Sequence, residues 1–308
     1  MFSQVPHSLL MVRPAAFGYN PETAASNAFQ KKLHAEDHLQ KMALDEFDRV
    51  VMALRENGIP VVVFEDTQRP VKTDAIFPNN WITTHEDGQI VLYPMMAPSR
   101  RAERRKDIVA YLRQHYQVKA LIDLTVHEHQ QQFLEGTGSI VFDHPNRIAY
   151  ACRSPRTNEI LCQSLCNKIG YTMVFFDALD GDGVPIYHTN VMLWIGETVA
   201  AICLDALPDE ADQERVLASL SQTGHRIVAL GLAQIDAFAG NMLEVKNPAN
   251  ERFLLMSNAS LKSLLPGQLS EMGKNATLLP LEIPTIEACG GGSVRCMVAG
   301  IHLKGRQG

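Results

Sequence analysis

The chain has no run of apolar residues long enough to cross a bilayer, and its opening MFSQVPHSLLMVRP carries neither a basic leader nor an apolar stretch of signal-peptide length. A soluble, cytoplasmic protein without membrane contact is the expectation. Positive charge is also in short supply, with 28 Lys and Arg against 34 Asp and Glu for a net charge of -6. Nucleic-acid binding needs clustered cations that neutralise phosphates, so a nucleic-acid partner is not expected. One basic cluster, Arg100, Arg101, Arg104, Arg105 and Lys106, is short and local. No Pro/Ser/Gly-rich linker, block of like charge or low-complexity tract marks a boundary, so residues 1–308 are read as a single catalytic domain. The 6 cysteines are scattered without the spacing of a secreted disulfide framework and are read as reduced thiols. Cys162 and Cys166 share a predicted helix turn, but no histidine stands near them, and neither a metal nor a cofactor is expected.

What the chain does have is material for a core, since 46% of its 308 residues are apolar. A chain of this size buries roughly three quarters of the surface its unfolded form exposes. Its organising feature is an internal repeat. Five amphipathic helix patterns are each followed by a short apolar run of strand character: PVVVFED from 60, VKALIDL from 118, TMVFFDA from 172, RIVALGL from 226 and ATLLPLEI from 276. The helical segments are HAEDHLQKMALDEFDRVVMALRENG, RAERRKDIVAYLRQHY, SPRTNEILCQSLCNKIG, PDEADQERVLASLSQTG and SNASLKSLLPGQLSEMG. After each of the first four runs comes a loop and a hairpin-like pair of β-rich segments. The fifth hairpin closes only if SVRCMVAGIHL pairs with SLLMVRP from the other end of the chain. Five such units around an axis make an α/β fold, a five-bladed α/β propeller with pseudo-fivefold symmetry.

The polar residues that begin each hairpin keep phase with the repeat. Asn80, Glu135, His188, Asn241 and Cys296 are spaced by 55, 53, 53 and 55 residues. In a fivefold ring equivalent positions converge on the axis, so a carboxylate, an imidazole and a thiol should share one pocket. The plainer alternative is that each is a turn or cap residue at a repeated strand start. Cys296 follows Gly290, Gly291 and Gly292, whose backbone allows positive φ and close approach of a substrate. A lone buried cysteine is usually a small hydrophobe, but one facing His188 has the base a thiol nucleophile needs. Glu135, read otherwise as a solvated loop acid, is placed to orient that imidazole. His127 and His129 sit in a polar stretch, and His144 in a hairpin turn, so no metal site is assigned to them.

The motifs GGGSVRCM, HTNVML and LEGTGS, with the order Glu, His, Cys, resemble the amidinotransferase/arginine deiminase (pentein) superfamily. DAIFPNNWITT, APSRRAERR and SPRTNE are similar to dimethylarginine dimethylaminohydrolase, and MVRPAAFGYNPET, FPNNW and LEGTGSIVFDH most resemble its citrulline-utilisation hydrolase relatives. The resemblance spans essentially the whole chain. It implies the propeller fold and a cysteine-dependent hydrolase that attacks a guanidino or ureido carbon, with Cys296, His188 and Glu135 as the catalytic set. It further implies that Asp74 contacts substrate nitrogens and that Arg101 and Arg156 hold the substrate carboxylate, a task that suits a bidentate guanidinium. Asn241 joins the substrate-binding set by its phase. Either arginine alone is as readily a surface charge.

A departure from the guanidine-processing pattern bears on the substrate. Asn79 and Asn80 in FPNNW, and Asn190 after the histidine, stand where those relatives place carboxylates. A buried guanidinium needs anions to offset its desolvation, whereas a ureido carbonyl accepts from an amide. The expected substrate is therefore a small amino acid, citrulline cleaved to ornithine, carbon dioxide and ammonia. An arginine or methylarginine deiminase, an amidinotransferase and a catalytically silent binding protein on the same ring remain open. A homodimer is compatible with the sequence but not dictated by it. The polar segment AAFGYNPETAASNAFQ is read as a lid over the pocket or as an ordinary surface loop.

Overall fold

Each of the five apolar runs forms the outer strand of a three-stranded sheet in the computed structural model, which describes residues 2–33 and 36–306. In chain order the strands are β1 (Ser8–Arg13), β2 (Val61–Glu65), β3 (Ile82–Thr84), β4 (Gln89–Leu92), β5 (Ala120–Asp123), β6 (Ile140–Asp143), β7 (Ile148–Cys152), β8 (Thr172–Phe176), β9 (Leu193–Ile195), β10 (Val199–Ile202), β11 (Arg226–Ala229), β12 (Leu243–Lys246), β13 (Arg252–Ser257), β14 (Thr277–Leu281) and β15 (Ala299–Ile301). They form the sheets β15-β1-β2, β3-β4-β5, β6-β7-β8, β9-β10-β11 and β12-β13-β14. In every sheet the inner strand pairs antiparallel with the middle one, and the middle strand pairs parallel with the outer one. The expected closure of the fifth hairpin is present, with Ser8 opposite Ile301 and Leu10 opposite Ala299. Five blades, each carrying its helix between middle and outer strands, give the five-bladed α/β propeller.

Burial explains why the strands read so differently. Inner and middle strands such as β9 and β10 are buried along their whole length, whereas the outer β2 is mostly half-buried and β14 is exposed or half-buried except at its last residue. The helices close over the outer layer: Glu36–Glu56, Lys106–His115, Glu159–Ile169 and Glu210–Gln222, with a broken pair Asn258–Ser263 and Pro266–Met272 in the last blade. Asn158 and Asp209 cap their helices by accepting from Leu161 N and Ala211 N, and Gly170, at φ 74°, ends the third in the left-handed conformation that glycine tolerates. Three helices differ from the sequence expectation, the third beginning only at Glu159 because Ser154–Thr157 form a turn and Asn158 caps the helix. The second begins only at Lys106, because Pro98–Glu103 winds as a tighter 3-10 turn, and the fifth breaks because Pro266 forces Leu265 into an extended conformation. Among the described residues no helix is long and apolar enough to cross a membrane.

The turns that precede the inner strands are what position the site. Pro78–Asn80, Gly136–Ser139 and Thr189–Val191 are single helical turns leading into β3, β6 and β9. They are stitched around the ring by hydrogen bonds: Thr137 Oγ1 to the Asn79 carbonyl at 3.4 Å, Thr189 Oγ1 to the Ser139 carbonyl at 2.6 Å, Asn241 Nδ2 to the Asn190 carbonyl at 3.0 Å, and the Arg295 amide to Asn241 Oδ1 at 3.1 Å. The repeat phase thus becomes a ladder of neighbouring turns at one end of the axis.

Candidate active site

A small buried cavity of about 20 Å³ opens where these turns meet, and it is lined by Cys296, His188, Asn80, Asp74, Arg100 and Arg156 among others. Close backbone approach is needed here. A β-carbon on Gly138 would sit 2.5 Å from Asn80 Nδ2 and 2.7 Å from His188 Nδ1, and one on Gly290 would sit 2.7 Å from the Phe77 ring. The glycines are the reason the side chains can crowd together.

His188 Nε2 lies 2.9 Å from Glu135 Oε2, which leaves Nδ1 as the imidazole nitrogen without that partner. Burial pulls the imidazole down to about 4, against the pull of Glu135 upward, so it rests neutral near pH 7. Burial pushes Glu135 up, but Arg156, the bond with His188 and the more distant Arg100 outweigh it and hold the carboxyl at about 2. The pair is therefore a carboxylate accepting from Nε2–H, with Nδ1 free to act as a base.

Cys296 is 5% exposed, and burial raises its thiol above the ordinary range, opposed by Asn241, the Ser293 backbone, Arg295 and Asn190. Its Sγ is approached by Asn241 Nδ2 at 3.3 Å and by Asn190 Nδ2 at 3.6 Å. Asn190 and Asn241 thus hold the sulfur from beneath, and neither lines the small cavity. No hydrogen bond joins Cys296 to His188 among the described residues; the two face a shared space.

Asn80 is held in one amide orientation. Arg100 Nη1 donates to its Oδ1 at 2.8 Å, and a guanidinium has no acceptor, so the oxygen must face the arginine and the amide nitrogen must face away. That Nδ2 is buried and has no partner among the described residues. Arg100 is fixed in turn by Glu103, at 3.0 and 2.8 Å, and by the Phe77 carbonyl at 3.2 Å. Asp74 Oδ2 accepts from Asn20 Nδ2 at 2.7 Å and Thr23 Oγ1 at 3.3 Å and lies 3.8 Å from Arg100, while its Oδ1 has no partner among the described residues. Burial raises the Asp74 carboxyl against the opposing effect of Arg100.

The segment 15–30 folds across this cavity. Asn20 caps a short helix, Pro21–Ala24, by accepting from the Glu22 amide, and Thr23 and Asn27 line the cavity itself. Arg156 spends its guanidinium on this segment: Nη2 donates to the Thr23 carbonyl at 2.8 Å and to Ser26 Oγ at 2.7 Å, while Nη1 lies 3.5 Å from Glu135 Oε2. Asn27 Nδ2 and Tyr187 Oη both donate to the Gly291 carbonyl, at 3.0 and 2.8 Å.

Of the residues picked out in the sequence, the cavity lining brings together Cys296, His188, Asp74, Asn80 and Arg156, with Glu135 directly behind His188. Asn79 is fully buried beside it with neither amide atom partnered among the described residues. Arg101 is elsewhere: its side chain is 33% exposed and lies 3.4 Å from Glu128. Sequence reasoning missed Arg100, Tyr187 and the polar residues of the covering segment. Arg100 was hidden inside a run of cations that reads as a solvated face.

The sequence matches the family model described as N,N dimethylarginine dimethylhydrolase, eukaryotic, over residues 13–303. A comparison with curated protein sequences found no match. Among solved structures, the fold is similar to the substrate-bound N-terminal domain of ArgZ, an arginine dihydrolase from the ornithine-ammonia cycle in Cyanobacteria, at 13% identity and TM-score 0.72, covering 96% of this chain and 97% of that one. Unliganded AgrE matches at 15% identity and TM-score 0.74, over 97% of this chain and 40% of that chain. A dimethylarginine dimethylaminohydrolase adduct with S-methyl-L-thiocitrulline matches at 14% identity and TM-score 0.67, over 98% of this chain and 100% of that one.

Proposed function

Because the chain belongs to the N,N dimethylarginine dimethylhydrolase family, within the pentein superfamily of C–N bond hydrolases, we propose that it hydrolyses the ureido group of citrulline through a covalent adduct on Cys296. In this reading residues 1–308 act as one catalytic unit. The observation that carries the substrate choice is the amide of Asn80. With its oxygen engaged by Arg100, Asn80 offers only N–H donors. A guanidinium has nothing to accept them, whereas a ureido carbonyl does. The same donor gains strength as that oxygen becomes negative during attack.

The chemistry follows from the resting protonation states. Cys296 begins as a thiol and His188 as a neutral imidazole. As Sγ bonds to the ureido carbon, the thiol proton passes to His188 Nδ1 and then leaves with ammonia, giving a thiocarbamate on Cys296. Water, deprotonated by the same nitrogen, displaces the sulfur, and the resulting carbamate separates into ornithine and carbon dioxide. Glu135 stabilises the imidazolium in both halves. Amino-acid ligands occupy clefts of roughly 300 Å³ or more, so a cavity of about 20 Å³ admits citrulline only after segment 15–30 lifts, releasing Arg156 for the substrate carboxylate.

One observation favours a second reading. Asp74 Oδ1 is buried and unpartnered among the described residues, and burial raises both Asp74 and Glu103 despite Arg100 beside them, so the cavity's carboxyls are short of positive charge. A cationic guanidino substrate, arginine or a methylarginine, would supply the missing charge. Incubating the protein with citrulline, arginine and methylarginine and assaying ornithine, citrulline and ammonia decides between the two. Citrulline should yield ornithine and ammonia in equal amounts; accumulation of citrulline from arginine, with added citrulline untouched, would overturn the ureido reading.

A further inference from the structure

A second cavity, of about 50 Å³, lies between the inner strands, beyond the turns that present Cys296. Arg295 lines it, so consecutive residues of one turn face two different cavities, Cys296 the first and Arg295 the second. Among the described residues the guanidinium has no carboxylate within ion-pair distance, and its one side-chain hydrogen bond there runs from Nη1 to the Val298 carbonyl at 2.8 Å. Burial pulls it down to about 10, against the opposing pull of Cys296.

The rest of the lining does not supply the missing anion. His144 and His302, with ring centroids 4.2 Å apart, are held neutral by burial, as is His85, whose centroid lies 6.0 Å from His144. The one acid there, Glu244, is engaged by the Glu197 amide at 2.8 Å and by Arg252 at 3.6 Å. Trp194 lines the cavity and its indole Nε1, a donor, has no acceptor among the described residues; Asn190 Oδ1 is likewise unpartnered. A half-buried cation with spare donors, an unused indole N–H and room for a few water-sized particles form a receptor for a small anion.

We infer that this second cavity binds a small monovalent anion, such as chloride, formate or bicarbonate, on Arg295, and that its occupancy weakens Cys296 as a nucleophile. The coupling is electrostatic and passes through one peptide unit. Arg295 favours the thiolate of Cys296, an anion on Arg295 cancels that field, and thermodynamic linkage then makes anion binding and thiolate formation antagonistic. Asn190, which lines the second cavity and donates to Cys296 Sγ at 3.6 Å, is a second point of contact between the two sites. The inference rests on Cys296 being the nucleophile.

The test is the rate at which a haloacetamidine alkylates Cys296 near neutral pH, located by peptide mass mapping. Potassium gluconate, too large for the cavity, is replaced by chloride, formate or bicarbonate at fixed ionic strength. In the unmodified protein the labelling rate should fall several-fold to a plateau, and the Tm should rise with the same midpoint. Arg295→Gln should label slowly and without anion dependence. Val141→Phe, which fills the cavity from its rim and leaves the catalytic cavity untouched, should label at the original rate in gluconate and also lose the dependence. An anion-insensitive rate in the unmodified protein, or an anion effect that survives Val141→Phe, overturns the inference while leaving the nucleophile intact. No labelling of Cys296 in any condition would remove the nucleophile and this inference with it.

Discussion

Nε2 of His188 meets Oε2 of Glu135 at 2.9 Å, and this contact fixes which imidazole nitrogen is available to the cavity. Glu135→Gln keeps an acceptor for Nε2–H but removes the charge that stabilises the imidazolium. The expected loss is in kcat, on the order of 10²–10⁴-fold, with a smaller change in KM. Steady-state ornithine release from citrulline measures it. A variant with unchanged kcat would show that Glu135 is a structural partner of Arg156 and nothing more.

Two glycines two residues apart in the chain should fail differently. A β-carbon on Gly138 collides with Asn80 Nδ2 and the His188 ring, both cavity side chains, so Gly138→Ala should cut activity more than tenfold while the protein still folds. At Gly136 the backbone has φ +48° and the added carbon would lie 2.2 Å from the Asn79 carbonyl. Gly136→Ala should therefore lose roughly 1–3 kcal/mol of stability. Thermal melts beside activity assays separate the two outcomes; equal melting temperatures would refute the contrast.

The repeat phase in the sequence located the convergent turns because a fivefold ring turns a spacing of 53–55 residues into spatial proximity. Pairing of β15 with β1 was legible for the same reason: one blade lacked its hairpin. What spacing does not carry is the direction of neighbouring side chains within a turn. Asn80 lines the cavity and Asn79 does not; Arg100 is buried there and Arg101 points to Glu128. Both pairs lie in tight 3-10 turns, where consecutive residues diverge by about a third of a revolution. His144 was read only as part of a hairpin turn; its ring packs on Phe142 and lines the second cavity, because the ring's axial space admits a side chain from just beyond β6.

Acid should destabilise the fold through its buried histidines, against a smaller opposing gain from Glu103, whose carboxyl burial raises to about 7. Burial lowers His188 and His85 to about 4 and His302 to about 3, all below the unfolded value of 6.5. As pH falls below 6.5 the unfolded chain takes up these protons first, so stability is full above that value and declines until the folded pKa values are reached. Glu135, held at about 2, adds a further loss as pH falls from 4.5 toward 2. The Tm at constant ionic strength should drop progressively between pH 6.5 and about 4. A flat profile across that window would mean the histidines are protonated in the native protein.

The substrate reading is most exposed at Asn80. In Asn80→Asp one carboxylate oxygen can still accept from Arg100, but the donor that faces away from Arg100 becomes a second, negatively charged acceptor. Loss of one donor to a developing oxyanion typically costs about 10²–10³-fold, so citrulline turnover should fall by that order. Turnover of arginine or methylarginine should rise relative to citrulline, since the new carboxylate offers a guanidinium the anion it needs and Asp74 is already near. Parallel assays of ornithine and ammonia release from the three substrates give the ratio directly. Citrulline turnover unchanged in the variant would mean that the ureido oxygen is held by something other than this amide, and the argument from the Arg100 contact would no longer choose between the substrates.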